Sequence, residues 1–74
     1  IRFDLPEDSF VTINVYDMVG RHVKTLLNNN MPAGRRSIVW DSTNNLDQPV
    51  SAGTYFYTIK TGEYSQTKKM VYLK

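Results

Sequence analysis

The stretch Thr54-Tyr55-Phe56-Tyr57-Thr58-Ile59-Lys60 constrains this chain more than any other, because in extended form it is apolar on both faces. Tyr55, Tyr57 and Ile59 share one face, and Phe56 stands on the other between Thr54 and Thr58. Such a strand belongs inside a sheet rather than at its edge. Gly53 sets the turn that leads into it. Upstream, Arg35 to Asp41 resumes strand character with Ile38 and Trp40 on one face. Trp40 is the expected core anchor together with Tyr55 and Tyr57, since a buried large aromatic contributes more than any aliphatic present.

Neighbouring strands are legible in the same period of two. Ile1, Phe3 and Leu5 alternate with Arg2 and Asp4, and Pro6 closes that run because it cannot donate to a ladder. Val11, Ile13 and Val15 alternate with Thr12, Asn14 and Tyr16, a β-branched pattern too regular for a helix. Asp17-Met18-Val19-Gly20 follows, with Gly20 supplying the positive φ of a short hairpin loop. Residues 21–27 are expected to pair back antiparallel, and Asn28-Asn29-Asn30-Met31-Pro32-Ala33-Gly34 reads as loop. Thr61-Gly62-Glu63 makes a tight turn, and Tyr64 to Lys74 returns with Val71 and Leu73 on one face and Met70 and Tyr72 on the other. With no helical signal, about six to seven short strands predict an all-β antiparallel immunoglobulin-like sandwich.

The length of 74 residues bounds the chain to a single domain, 1–74. A domain this short hides only about 60% of its unfolded surface. Cys is absent, so disulfides and thiolate zinc are excluded. The net charge of +2 comes from scattered Lys and Arg, which does not form the patch that nucleic acid requires. No run approaches the roughly 18 apolar residues of a membrane span. The opening residues read as a strand already under way, and Lys69-Met70-Val71-Tyr72-Leu73-Lys74 as a closing strand. The expectation is a C-terminal domain of a larger exported protein, truncated at its N-terminal edge.

Catalytic residues are expected to be none. His22 is the only His and is read as solvated beside Arg21, while the carboxylates are dispersed rather than paired. Tyr55, Phe56, Tyr57, Tyr64 and Tyr72 have the composition of a platform for sugars or bases, but alternation sends several into the core. One chemical echo stands out. Asp41, Thr43, Asn45 and Asp47 carry oxygens at alternate positions, as at the start of a calcium loop, without the Gly and the bidentate Glu that complete one. Asx and Ser/Thr turns explain the same residues without an ion, so no metal and no cofactor is expected.

Taken in order, the motifs resemble a known family. Ile1-x-Phe3-x-Leu5-Pro6, Val15-Tyr16-Asp17-Met18-Val19-Gly20-Arg21-x-Val23, Gly34 leading to Trp40-Asp41, Pro49-Val50-x-Ala52-Gly53-x-Tyr55-Phe56-Tyr57 and Lys69-Met70-Val71 resemble the type A C-terminal sorting domain of bacterial type IX secretion. The set is also similar to the related immunoglobulin-like domain of the flagellar hook-capping protein, FlgD. Two departures stand out: Ser42 replaces the Gly of a Trp-Asp-Gly segment, and Asp47 sits where an Asp-x-x-Gly pattern is usual. The Asn-Pro-Phe-Asn-Pro type segment that precedes the first strand in the family is not part of this sequence.

The resemblance implies a non-enzymatic sorting signal on an exported cargo protein. Its partners would be the outer-membrane type IX machinery and a sortase-like peptidase, and its destination the cell surface or the medium, by way of periplasm and outer membrane. Lys68, Lys69, Met70 and Val71 are the expected recognition residues. The alternative is a passive or adhesive immunoglobulin-like module, a spacer or carbohydrate binder, that acts through residues 42–52 and exposed Tyr side chains. On either reading, nucleic acid is not a partner.

Overall fold

A computed structural model describes residues 1–62 and 64–73. The described residues contain no helix and six strands: β1 (Arg2–Leu5), β2 (Ser9–Tyr16), β3 (His22–Met31), β4 (Gly34–Ser37), β5 (Gly53–Lys60) and β6 (Ser65–Tyr72). All pairings are antiparallel. β1 and β4 form one sheet, and the other has the order β3-β2-β5-β6. The result is an all-β immunoglobulin-like sandwich, and β5 holds the interior position that its two apolar faces demand.

The core follows from alternation. Val11, Ile13 and Val15 of β2 are fully buried, Ile59 of β5 nearly so, and Phe3 and Leu5 of β1 cover this layer from the second sheet. Burial of each such aliphatic is worth about 1.5–3 kcal/mol. A domain of this size has roughly 4–11 kcal/mol of net stability at typical per-residue values, so few side chains carry the fold. On the outward face the sheet is polar. Thr12 Oγ1 donates to Asn28 Oδ1 at 3.2 Å, Thr25 Oγ1 donates to Asn14 Oδ1 at 2.8 Å, and the Thr58 and Thr67 hydroxyls meet at 3.3 Å.

The β2–β3 hairpin is built round Asp17. Gly20 takes φ 88° and its N–H donates to Asp17 O at 3.0 Å, while Asp17 Oδ1 accepts the Val19 and Arg21 N–H groups at 3.0 and 2.9 Å. Arg21 Nε adds an ion pair to Asp17 Oδ2 at 2.9 Å. These bonds, the Arg21 N–H first among them, hold the Asp17 carboxyl below its ordinary 3.8.

Three expectations are corrected. β3 runs to Met31, so Asn28, Asn29 and Asn30 lie in a strand rather than a loop, held by pairing to Thr12, Val11 and Phe10. Cross-strand pairing overrides the poor β propensity of Asn there. β4 stops at Ser37 and does not reach Asp41, although Ile38 N still donates to Ile1 O at 2.8 Å. Trp40 is half-buried outside the buried core, because the chain leaves the sheet before reaching it. The turn expected at Thr61-Gly62-Glu63 includes Glu63, which lies outside the described residues, as does Lys74. Thr61 N donates to Tyr64 O at 2.9 Å across that connection.

Candidate functional site

Residues 41–50 form an ordered loop even though only one isolated bridge, Thr43 to Pro49, lies within it. Asn44 is its hub: Oδ1 accepts the Leu46 and Gln48 N–H groups at 2.8 and 3.1 Å, its N–H donates to Gln48 O at 2.9 Å, and its carbonyl accepts Asp47 N–H at 2.9 Å. Asp41 Oδ1 accepts both the N–H and the hydroxyl of Thr43. The hydroxyl bond, helped by the Lys24 charge, holds the Asp41 carboxyl below its ordinary 3.8. Self-capping by Asx and Ser/Thr turns is therefore how this loop is ordered. Ser42 and Asp47 adopt φ 65° and 59°, the only non-Gly residues with positive φ among the described residues. They are the two positions where the sequence departs from the Gly pattern, so the left-handed geometry persists without the glycines.

Three of the four alternating oxygen-bearing residues converge, and what they face is the chain's own ammonium. Lys24 Nζ, on a side chain only 18% exposed, lies 2.9 Å from Thr43 Oγ1, 3.3 Å from Asp47 Oδ1 and 3.9 Å from Asp41 Oδ1. Asn45 turns the other way, onto β3. Its N–H donates to Val23 O at 3.2 Å and its Oδ1 accepts Thr25 N–H at 3.1 Å. One residue thus supplies, from its backbone N–H and its side-chain oxygen, the donor and the acceptor that a neighbouring strand would have offered. Among the described residues no group of three or more His, Cys, Asp and Glu side chains is placed to hold a metal ion. Sequence spacing did not reveal Lys24, which is 19 and 23 residues from its partners.

The other expected site residues lie elsewhere. Lys68 and Lys69 are exposed on β6, Val71 is exposed beside them, and Met70 is half-buried. Lys68 stands opposite Tyr57 and Lys69 opposite Phe56, so successive residues present a cation on each face of the sheet. Of the expected anchors, Trp40 caps one end of the sandwich: Nε1 donates to Thr43 O at 2.9 Å, and the ring meets Tyr55 and Tyr72 edge-on at 5.1 and 6.1 Å. The buried Tyr55 hydroxyl donates to Ser51 O at 2.6 Å, Tyr57 packs on the core, and Gly53 takes φ 150° at the start of β5. His22 sits on the polar outer face, with Nε2 3.0 Å from both Asn14 Oδ1 and Thr25 Oγ1.

A two-sheet antiparallel sandwich with this hairpin and this aromatic strand has a counterpart among known families. The family model described as the FlgD Ig-like domain matches residues 1–65. The chain belongs to the FlgD Ig-like domain family. That match ends at Ser65, the first residue of β6. Immunoglobulin-like domains of this family are generally non-catalytic. No curated protein and no solved structure matches the chain.

Proposed function

We propose that this FlgD Ig-like domain is a non-enzymatic sorting domain of the type A kind used by bacterial type IX secretion, the C-terminal domain of an exported cargo protein. The observation that carries the reading is β6, which is regular, lies at the edge of the larger sheet and displays Lys68, Lys69 and Val71 to solvent. A compact sandwich with one such strand is suited to being docked as a rigid tag. Its readers would be the outer-membrane type IX machinery and then a sortase-like peptidase, with delivery to the cell surface or medium. The order of motifs up to Lys69-Met70-Val71 supports this assignment over a plain spacer. In the loop that an adhesive module would use, the Asp41, Thr43 and Asn44 side-chain oxygens are engaged by Lys24 and by the loop's own backbone.

Delivery of the full-length parent protein tests the reading. Removing residues 69–74, or introducing Lys68→Glu with Lys69→Glu, is expected to leave cargo in the periplasm. Both lysines are exposed, so the double variant retains its fold, which far-ultraviolet circular dichroism checks. Normal surface delivery of the folded double variant and of the truncated protein would remove the proposal.

A further inference from the structure

The sandwich has four sheet edges, and they are not equivalent. β1 and β4 are four residues long, too short to template much pairing. β3 is long, but its ladder with β2 carries two register irregularities, and three of its backbone groups are already bonded off the ladder. Asn45 occupies Val23 O and Thr25 N–H, and the Asn29 side chain accepts the Asn30 N–H at 2.9 Å. β6 has none of these devices. Its eight residues pair with β5 in an unbroken register from Ser65 to Tyr72, and they contain neither Pro nor Gly. Among the described residues, no other strand pairs with it. Every second residue of β6 therefore points its N–H and C=O outward.

The charges on this edge select what can add to it. The midpoint of β6 falls between Lys68 and Lys69. An antiparallel two-fold pairing of two copies keeps each residue on its own face, so a pairing centred on the strand sets Lys68 opposite Lys68, or Lys69 opposite Lys69, of the other copy, and like charges so placed oppose pairing. Neither lysine has an ion-pair partner among the described residues. The same arrangement favours a strand with acidic residues at its middle, one facing each lysine on each side of the sheet. Beyond them, Val71 and the half-buried Met70 and Tyr72 border a shallow groove with Ile1, Val39 and Trp40, which suits an apolar residue next to the acidic pair.

We infer that β6 is a docking edge for an extended, centrally acidic strand of another protein, which continues the four-stranded sheet by main-chain hydrogen bonds. The inference rests on the sorting reading for the partner's identity, and it names the chemistry by which that partner would read the domain. The probe is a capped octapeptide with Glu-Glu at its centre flanked by Thr and Val, titrated into the 74-residue chain while amide hydrogen exchange is followed by NMR. Alternate amides of β6 gain protection, and those of β1, β3 and β4 do not change. Lys68→Glu with Lys69→Glu lowers affinity about tenfold or more. On the unaltered chain, the same peptide with Lys-Lys at its centre, or N-methylated along one edge, does not bind.

Protection on any other strand, binding indifferent to either charge reversal or to N-methylation, absence of binding at millimolar peptide, or self-association of the chain through β6 would each overturn the inference. Peptide capture at β6 in a domain whose charge-reversed parent is still delivered normally would leave docking standing and end the sorting reading. Failed delivery with no peptide capture would do the reverse.

Discussion

Replacing Lys24 by Met isolates what the ammonium contributes, because Met keeps the apolar stem and removes only the charged head. Three contacts disappear. The 2.9 Å bond to Thr43 Oγ1 is charge-assisted and largely shielded by the loop, and the lower end of the range for such bonds is about 1.5 kcal/mol. The pairs to Asp47 and Asp41 involve carboxylates 88% and 67% exposed, so solvent screening leaves them little to add. The expected loss is about 1.5 kcal/mol, which for a domain this size lowers Tm by roughly 6–12 °C. Thermal and urea unfolding followed by circular dichroism measure it. Thr43→Val and the Lys24→Met, Thr43→Val pair complete a cycle in which about 1 kcal/mol of coupling is expected. A single-variant loss below about 0.5 kcal/mol, or strict additivity, would show that the Asx turns order the loop without Lys24.

Two further predictions concern the same loop and the hairpin. Ser42→Gly removes a left-handed backbone penalty at φ 65°, and is expected to raise stability by about 0.5–1 kcal/mol after the entropy of the freer unfolded chain is subtracted; an unchanged or lower urea midpoint refutes it. Asp17 and Asp41 have folded-state pKa values below 3.8, so as pH falls the unfolded chain takes up protons before the folded one does. Their contribution is complete above 3.8 and is lost as pH drops through the folded values, so the urea midpoint declines there. Asp17→Asn with Asp41→Asn is expected to flatten that decline, and a curve of the same shape in the double variant would refute the assignment.

Much of the architecture was legible because alternation is a local signal. Val11, Ile13 and Val15 declared their buried face, the two apolar faces of β5 declared its interior position, and Gly20 marked the hairpin. Asn28 to Asn30 misled because turn preference was read without the partner strand, whose Thr12 side chain bonds Asn28. Trp40 misled because size argues for burial but says nothing of where a short strand ends. The loop's self-capping was readable from its Asp, Asn, Ser and Thr content. Its attachment to Lys24 and to Val23 and Thr25 was not, since those contacts depend on how β3 and the loop come together in space. The candidate edge was visible as two lysines; that β6 is the one long edge left open is a property of the other three.

Asn45 has a consequence for assembly size. A sandwich whose two outer strands were both open could stack head to tail, β6 of one molecule on β3 of the next, and nothing in that arrangement would close it. Such growth is the route to fibres. By filling the Val23 and Thr25 positions with its own side chain and backbone, Asn45 obstructs such stacking at one end of β3. Growth by addition of one copy's β6 to another's β3 would first have to break those two bonds, so the loop that Asn45 anchors guards one side of the sheet while the other stays open.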